Sequence, residues 1–272
     1  MNEETTRQAI ARLVARGETE PPRDRRLLVV TMTGFRRPEY QRKVLAALSR
    51  CEGVENWVLM PQVDPARRKD RREGVREVFA EFDACEQRPI FNRDRLGLNR
   101  NTQAVLVRAM KLRPDVLVHL EDDTVPSPDA LTYFDWAVDQ LKGLPERVVL
   151  ASGYHKLDPG SGAIHYRTAD RPIWSPWGWA VCRRRLIWIL KEWCTKNPKC
   201  FTCRIKETFK STRYELYPLL SRIQNIGYDL GENNRSPEWY RKNHRCDRVA
   251  GDDLPPGDFT LPPALARRQH AG

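Results

Sequence analysis

Three consecutive carboxylates, Glu121, Asp122 and Asp123, follow an apolar run at residues 117–120. The apolar run predicts a buried strand, so the acids are expected at its carboxyl end. Adjacent carboxylates repel one another and gain nothing from burial unless a positive group lies beside them. A divalent cation suits such a triplet, because it takes one or two carboxylates and completes its ligands with phosphate oxygens and water. The alternative is that the acids only favour the amino end of the following helix, whose dipole attracts negative charge.

Two further loops place polar side chains directly after a predicted strand. The loop at 33–38 supplies Arg36 and Arg37, and the loop at 62–65 supplies Asp64. Arginine can bind a pyrophosphate through two parallel hydrogen bonds, and an aspartate can accept hydrogen bonds from a ribose or a base. Ligands of open α/β sheets bind beyond the carboxyl ends of the strands. The loops therefore predict one crevice for a nucleotide with Mg²⁺ or Mn²⁺, in which the ion neutralises a leaving diphosphate.

Apolar runs and amphipathic segments alternate through the first half of the chain. Strands are predicted at residues 27–33, 57–60, 89–91, 115–120 and 147–153. Helices are predicted at residues 1–17, 39–48, 72–82, 101–112, 129–141 and 184–193. This alternation predicts the α/β class, with a mostly parallel sheet, helices on both of its faces and a loop-rich second half built onto the same sheet.

The 272 residues carry a formal net charge of +11, with 47 Lys and Arg against 36 Asp and Glu. An excess of this size favours a polyanionic partner, because phosphate contacts dominate binding to such partners. No apolar run approaches the ~20 residues of a membrane span, and the charged first residues lack the apolar centre of a signal peptide. We therefore expect no integral membrane association and a cytoplasmic location, which is the host cytoplasm if the protein is viral.

The cysteine spacing suggests a second kind of site. The seven cysteines are an odd number, and Cys194, Cys200 and Cys203 form a C-x5-C-x2-C pattern. With Cys246 or His244 they could complete a tetrahedral structural zinc site. A non-catalytic, zinc-containing DNA-binding protein is therefore an alternative of a different class, although acids placed after a strand argue against it.

Five segments, in order along residues 27–234, resemble the sequence blocks of GT-A glycosyltransferases. They are TMTGFRRPEYQRKVLAAL, LGLNRNTQAVLVRAM, LVHLEDDTVPSPDALTYF, SPWGWAV and YPLLSRIQNIGYDLGENN. The third resembles the acidic D-x-D-type block, and the N-acetylglucosaminyltransferase I-like group also uses an EDD. The resemblance implies a GT-A fold, a nucleotide-sugar donor such as a UDP-sugar, and usually manganese.

The resemblance also implies roles for particular residues. By position, it assigns nucleotide binding to Thr33, Arg37 and Asp64, the diphosphate or sugar to Asn99 and Asn101, the sugar and ribose to Glu121 and Asp122, the metal to Asp123, and the donor-sugar and acceptor cleft to Trp177, Gly178 and Trp179. Core packing is the alternative role for the tryptophans, and we expect it for one of the two.

Two departures from the family pattern concern the metal and the base. The family often ends its last block in G-T-H, with His as a second metal ligand, but this chain reads GENN at 231–234. The metal then depends on Asp123 alone, or His244 substitutes. Inverting members place an acidic base before the last block, where this chain has CFTCRIKET without an Asp, so Glu207 is the predicted base. Retention or inversion stays open.

The predicted organisation is an N-terminal helix and linker at 1–26, a single GT-A domain at 27–254 and an extended tail at 255–272. Within the domain, 27–153 is the nucleotide-sugar half and 154–254 is the acceptor half.

The charge and the lack of an anchor favour DNA as the acceptor. A 5-hydroxymethylpyrimidine such as 5-hydroxymethylcytosine, as in bacteriophage DNA modification, offers a hydroxyl once its base is flipped from the stack. One alternative is a bacterial transferase for surface or lipid-linked glycans, bound to membranes through a basic face. Another alternative is a nucleotidyltransferase. The latter usually needs a glycine-rich phosphate loop, and TMTGFRRP has one glycine.

Overall fold

A computed structural model describes residues 8, 11–12, 25–154, 166–168, 177–191, 193, 214–218 and 221–227. Most of the predicted N-terminal helix lies outside these ranges. The predicted base Glu207, the four cysteines of the predicted zinc site, His244 and the tail at 255–272 lie outside them as well.

The described elements follow the predicted alternation of strands and helices. The strands are β1 (Leu28–Gly34), β2 (Trp57–Val63), β3 (Glu86–Gln87), β4 (Ile90–Phe91), β5 (Val116–Glu121), β6 (Thr124–Pro126), β7 (Val148–Ser152), β8 (Tyr166–Thr168), β9 (Trp179–Val181), β10 (Tyr214–Pro218) and β11 (Ile223–Asn225). The helices are α1 (Pro38–Leu48), α2 (Lys69–Ala80), α3 (Leu98–Met110), α4 (Ala130–Gly143) and α5 (Arg183–Lys191), with a 3₁₀ turn at Val54–Asn56.

One large sheet runs through the described part of the chain, in the order β3-β2-β1-β5-β9-β7-β10-β8, and β4 also pairs with β2. The pairs β1–β2, β1–β5, β2–β3, β2–β4 and β7–β10 are parallel. Strand β9 is antiparallel to both of its neighbours, β5 and β7. Strands β6 and β11 form a separate antiparallel ribbon. The prediction of a mostly parallel sheet is confirmed, and the second half of the chain supplies strands to that same sheet.

The sheet is covered on both faces, because its central strands bury alternate residues on opposite sides. Val30 and Met32 of β1 belong to a core cluster with residues of α1, α2 and α4. Val29, on the opposite side of β1, belongs to a second cluster with residues of α3 and α5. Burial on both faces explains why these strands read as continuous apolar runs rather than alternating ones. The predicted α/β class with helices on both faces is confirmed.

The strand register brings three carboxyl ends together. Thr33 on β1 lies opposite Glu121 on β5, and Gly34 lies opposite Val63 on β2. The loops that follow these strands therefore begin at one edge of the sheet. Within the described ranges, each helix is too short or too polar to cross a lipid bilayer.

Candidate functional site

Arg37 joins the end of β1 to the acids that follow β5. Its Nη2 contacts Asp122 Oδ1 and lies 2.8 Å from Asp123 Oδ2. The Phe35 amide donates to Asp122 Oδ2 at 3.1 Å. Pro38 occupies the first helical position, where its missing N–H costs nothing, so α1 begins immediately after Arg37. The loop at 33–38 and the acidic loop thus meet, as the sequence predicted.

Asp123 is held from the other side by the end of β11 and the residue that follows it. Asn225 Nδ2 donates to Asp123 Oδ1 at 3.0 Å, and the Ile226 amide donates to the Asp123 carbonyl at 2.8 Å. Asn225 also accepts a hydrogen bond from the Gly227 amide at 3.0 Å. The turn itself closes on Thr124, whose Oγ1 accepts from the Glu121 amide at 2.8 Å. The carboxylate of Asp123 is therefore fixed in orientation by two distant parts of the chain.

Burial gives these groups unusual acidities. It raises the pKa of Asp123 to about 6, with Arg37 opposing and Asp122 adding to the shift. Burial also raises the pKa of Glu121 well above its usual value, and the charges of Asp123 and Asp122 raise it further. For Arg37, burial lowers the pKa, but the two aspartates outweigh that effect and raise it. Two aspartates thus contact one guanidinium, and their excess negative charge favours a further cation.

Several buried polar atoms around this cluster have no hydrogen-bond partner among the described residues. They are Thr33 Oγ1, Arg37 Nη1, Tyr40 OH and Glu121 Oε1. Buried polar groups normally make hydrogen bonds, so several buried polar atoms without a partner in one place point to a ligand. With the excess negative charge, these atoms fit a divalent ion and a nucleotide diphosphate. Asp123 would hold the ion, and Asp122 lies beside it.

No three His, Cys, Asp or Glu side chains in the described ranges are arranged to hold a metal ion among themselves. An ion at Asp123 would therefore take most of its ligands from phosphate and water, as is usual for Mg²⁺ bound with a nucleotide.

Asp64 lies buried at the end of β2, where it organises the loop that leads into α3. Its oxygens accept hydrogen bonds from Asn92 Nδ2 at 2.8 Å, the Leu96 amide at 3.1 Å and the Gly97 amide at 2.7 Å. The sequence pattern did not indicate this loop-holding role. Nucleotide binding by Asp64 stays a prediction, and it would use the lone pair that these contacts leave.

Asn99 and Asn101, on the first turn of α3, point into the protein. Asn99 Oδ1 accepts a hydrogen bond from Trp193 Nε1 at 2.7 Å, and Asn99 is fully buried. Asn101 accepts from Asn92 at 2.8 Å and donates to the Gln62 carbonyl at 3.0 Å. The structure therefore gives both amides partners within the protein, and their contact with a diphosphate or sugar stays a prediction.

The three predicted acceptor residues separate into two environments. Trp179 is 0% exposed and belongs to the core between the sheet and α3, with its ring 5.4 Å from that of His119. Trp179 therefore has the core-packing role that was expected for one of the two tryptophans. Trp177 is half-buried and packs edge-on against Tyr154 at 4.9 Å, which leaves it as the candidate of the pair.

Gly178 is required by its backbone and by its neighbour. Its φ of +64° is in the left-handed region, and a Cβ would lie 2.5 Å from Ile223 Cγ1 on β11. Gly178 thus allows the close approach of the β6–β11 ribbon to the sheet.

A buried ion pair anchors the same ribbon. Arg222 Nε donates to Asp129 Oδ2 at 3.0 Å, and Arg222 is 1% exposed. Asp129, directly before α4, also accepts from Ser127 Oγ at 2.7 Å. The ribbon carries Asn225, so this pair helps to place the group that orients Asp123.

Arginine side chains flank an aromatic ring at the edge of the crevice. Arg36 and Arg95 lie 5.5 and 4.4 Å from the centre of the Phe35 ring, and both are exposed. The predicted nucleotide contact of Arg36 would be made from this exposed position. Phe35, Tyr40 and Gly227 were not singled out in the sequence, although all lie in segments that resemble the family blocks.

Comparisons with known proteins give distant likenesses in fold. No protein-family model and no curated protein matches the chain. Staphylococcus aureus TarS in complex with UDP-GlcNAc is 11% identical with a TM-score of 0.46, over 70% of this chain and 58% of that chain. An active-site mutant of LgtC is 15% identical with a TM-score of 0.43, over 70% and 72%.

A third likeness is to the mannosyltransferase PcManGT from Pyrobaculum calidifontis in complex with GDP-Man and Mn²⁺. It is 15% identical with a TM-score of 0.42, over 71% of this chain and 57% of that chain. Against the TarS chains, the matched region spans 36 to 60% of their length.

Proposed function

We propose that this chain is a metal-dependent GT-A glycosyltransferase that moves a sugar from a nucleotide-sugar donor to a hydroxyl acceptor. The observation that carries the proposal is the cluster of Arg37, Asp122 and Asp123 at the carboxyl ends of β1 and β5. Its excess negative charge and unspent polar atoms suit a metal-bound diphosphate. The five sequence blocks in family order support the same class.

The reaction breaks the bond from the anomeric carbon to the diphosphate oxygen, and the electron pair leaves with the diphosphate. The acceptor oxygen forms the new bond to that carbon and gives its proton to a base. Glu207 stays the predicted base. When bound, Mn²⁺ or Mg²⁺ supplies neutralisation of the leaving group. Asp123 would hold the ion, and Arg37 would offer its guanidinium to a phosphate oxygen.

DNA carrying a 5-hydroxymethylpyrimidine is the acceptor we propose. The chain's net charge of +11 supports a polyanion. Four exposed arginines lie on the segments near the ends of these strands, with Arg36 after β1, Arg93 and Arg95 on the loop held by Asp64, and Arg100 on the first turn of α3. Such side chains can bind phosphates on either side of a flipped base.

The test is mass spectrometry of duplex DNA incubated with the protein, Mn²⁺ and a panel of UDP-sugars. One duplex contains cytosine and the other 5-hydroxymethylcytosine. A hexose or N-acetylhexosamine mass gain on the second duplex alone is the expected result, and Asp123→Ala should abolish it. Release of UDP without a gain on DNA would overturn the acceptor and favour glycan acceptors. Neither product, with UDP- or GDP-sugars, would overturn the enzyme class.

A structural zinc ion at Cys194, Cys200, Cys203 and Cys246 is a further part of the proposal, and it depends on their spacing alone. Elemental analysis should find zinc bound to the purified protein and lost in Cys203→Ser. Zinc-free protein that remains folded and active would contradict it.

A further inference from the structure

Each oxygen of the Asp123 carboxylate is already in use. Oδ1 accepts from Asn225 at 3.0 Å, and Oδ2 lies 2.8 Å from Arg37 Nη2. The same Nη2 also contacts Asp122, so one nitrogen of Arg37 serves both aspartates. A divalent ion on either carboxylate would lie beside the guanidinium, and like charges repel strongly in a buried site. The positive charge of Arg37 therefore opposes the binding of an ion at these carboxylates.

Arg37 cannot simply withdraw. Its side chain is 15% exposed, and its guanidinium lies 5.1 Å from the centre of the Tyr40 ring. Separating it from the aspartates would leave a buried charge without a partner, which is strongly unfavourable. A second anion is needed to receive it. The group is prepared for one, because Nη1 is buried and makes no hydrogen bond within the described residues.

We infer that Arg37 is a resident counterion that a divalent ion and a diphosphate displace together. The ion takes the carboxylate oxygens of Asp123, and Arg37 transfers its hydrogen bonds from that aspartate to the diphosphate. The ion alone would lie beside the guanidinium, which keeps Asp122 as its partner, and the diphosphate alone would bring further negative charge to both aspartates. Bound together, the two ligands offset each other's charge. Binding of the two ligands is therefore cooperative through Arg37. This inference rests on the proposed function, since it requires a site for a metal and a diphosphate.

The decisive measurement is binding of Mn²⁺ alone, read from the electron paramagnetic resonance signal of free Mn²⁺. Arg37→Met removes the cation and keeps the length of the side chain. Without nucleotide, this variant should bind Mn²⁺ about tenfold more tightly than the natural protein. Arg37→Lys keeps the charge and should stay near the natural affinity. If Mn²⁺ and the diphosphate were coupled only by their direct contact, Arg37→Met would bind Mn²⁺ alone no more tightly than the natural protein.

The matched control is Arg42→Met, one turn further along α1. Its side chain is 53% exposed, and its guanidinium lies 3.5 Å from Glu81 rather than at the site. It removes the same charge five residues further along the chain but away from the aspartates, so it should leave Mn²⁺ binding unchanged. An equal gain in this control would assign the effect to net charge and overturn the inference.

The second measurement is the coupling between Mn²⁺ and UDP by isothermal titration calorimetry. In the natural protein, each ligand should raise the affinity for the other by the same factor, because coupling is reciprocal. In Arg37→Met that factor should shrink, and UDP binding should weaken.

The outcomes separate the inference from the proposed function. If natural protein and Arg37→Met bind Mn²⁺ alone equally, and UDP still strengthens binding in both, the inference is wrong and the function stands. If neither Mn²⁺ nor a nucleoside diphosphate binds any variant, both are wrong. Circular dichroism checks folding. Should Arg37→Met not fold, Arg37→Gln, which is neutral and can still donate to Asp123, replaces it with the same expected direction.

Discussion

A methyl group on Gly227 would lie 2.0 Å from Asp123 Oδ2 and 3.2 Å from Arg37 Nη1. The segment after β11 can therefore lie this close to the acidic loop only because residue 227 has no side chain. Gly227 thus sets the distance between the segment that orients Asp123 and the carboxylate itself.

Gly227→Ala should displace Asp123, because no real Cβ contact is as short as 2.0 Å. We expect at least an approximately tenfold loss of Mn²⁺ and UDP affinity and a loss of about 1–3 kcal/mol in the free energy of unfolding. Calorimetry and urea denaturation measure the two effects.

Gly74→Ala is the matched control. A Cβ there would lie 3.4 Å from Pro38 Cγ in ordinary contact, inside α2. It should raise the free energy of unfolding by about 0.5–1 kcal/mol. Similar effects of the two substitutions would contradict the steric role of Gly227.

Two buried amides differ in whether they are paired. Gln41 is 0% exposed, and neither its Nε2 nor its Oε1 has a partner within the described ranges. Gln41→Leu should therefore leave the free energy of unfolding unchanged or raise it by about 1–2 kcal/mol. Asn101 has partners on both atoms, so Asn101→Leu should lower it by about 1–3 kcal/mol.

Urea denaturation of both variants checks this contrast, and UDP titration of the Gln41 variant adds a second readout. A stable variant with weakened UDP binding would place the Gln41 amide against the ligand. A clear loss of stability would show that Gln41 is paired after all.

The buried pair of Arg222 and Asp129 should matter more than an exposed pair of shorter distance. Arg222→Met leaves a buried carboxylate unpaired, and we expect a loss of about 3–5 kcal/mol in the free energy of unfolding. Arg26 lies 2.6 Å from Asp135, but the two side chains are 42% and 34% exposed. Arg26→Met should therefore cost at most about 1 kcal/mol. Equal losses in thermal or chemical unfolding would contradict the ranking.

His119 should make stability depend on acid. Burial lowers the pKa of His119 to about 3, from an ordinary 6.5. Between these values the unfolded chain binds a proton that the folded chain does not, so stability falls as the pH falls. Relative to His119→Asn, the free energy of unfolding of the natural protein should fall by about 1.4 kcal/mol for each pH unit below pH 6.5.

Urea denaturation at several pH values between 4 and 8 measures this difference, and the effects of all other titrating groups cancel in it. The Asn variant keeps a polar group near Thr31 Oγ1, which lies 3.0 Å from His119 Nδ1. Parallel stability curves for the two proteins would show that His119 titrates normally.

The elements and the acidic site could be predicted because their signals are local. The run before Glu121 is apolar on both faces, and the acids follow it directly, so strand and loop can be recognised from neighbouring residues. The meeting of Arg37 with Asp122 follows once the two strands are taken as parallel neighbours.

Long-range contacts explain what could not be predicted. The environment of Trp179 depends on β9 entering between β5 and β7, and nothing in the SPWGWAV segment specifies those partners. The hydrogen bonds of Asp64 to the loop at 92–97 join residues about thirty positions apart. A periodic sequence pattern indicates contacts between near neighbours only, so it could not predict these bonds. The predicted helix at 101–112 begins instead at Leu98, because Gly97, with φ +79°, ends the preceding loop.

The position of β9 has a consequence for how the chain is made. In the part of the chain that the structure describes, β5 and β7 do not pair with each other and are joined through β9, which follows them along the chain. A nascent chain that has emerged only to residue 153 therefore exposes one unpaired edge of β5 and both edges of β7, because β9 and β10 have not yet been made. Exposed edges template aggregation, so a fragment ending there should precipitate, whereas one that includes β9 can close the gap. The central sheet can therefore close only after β9 has been synthesised.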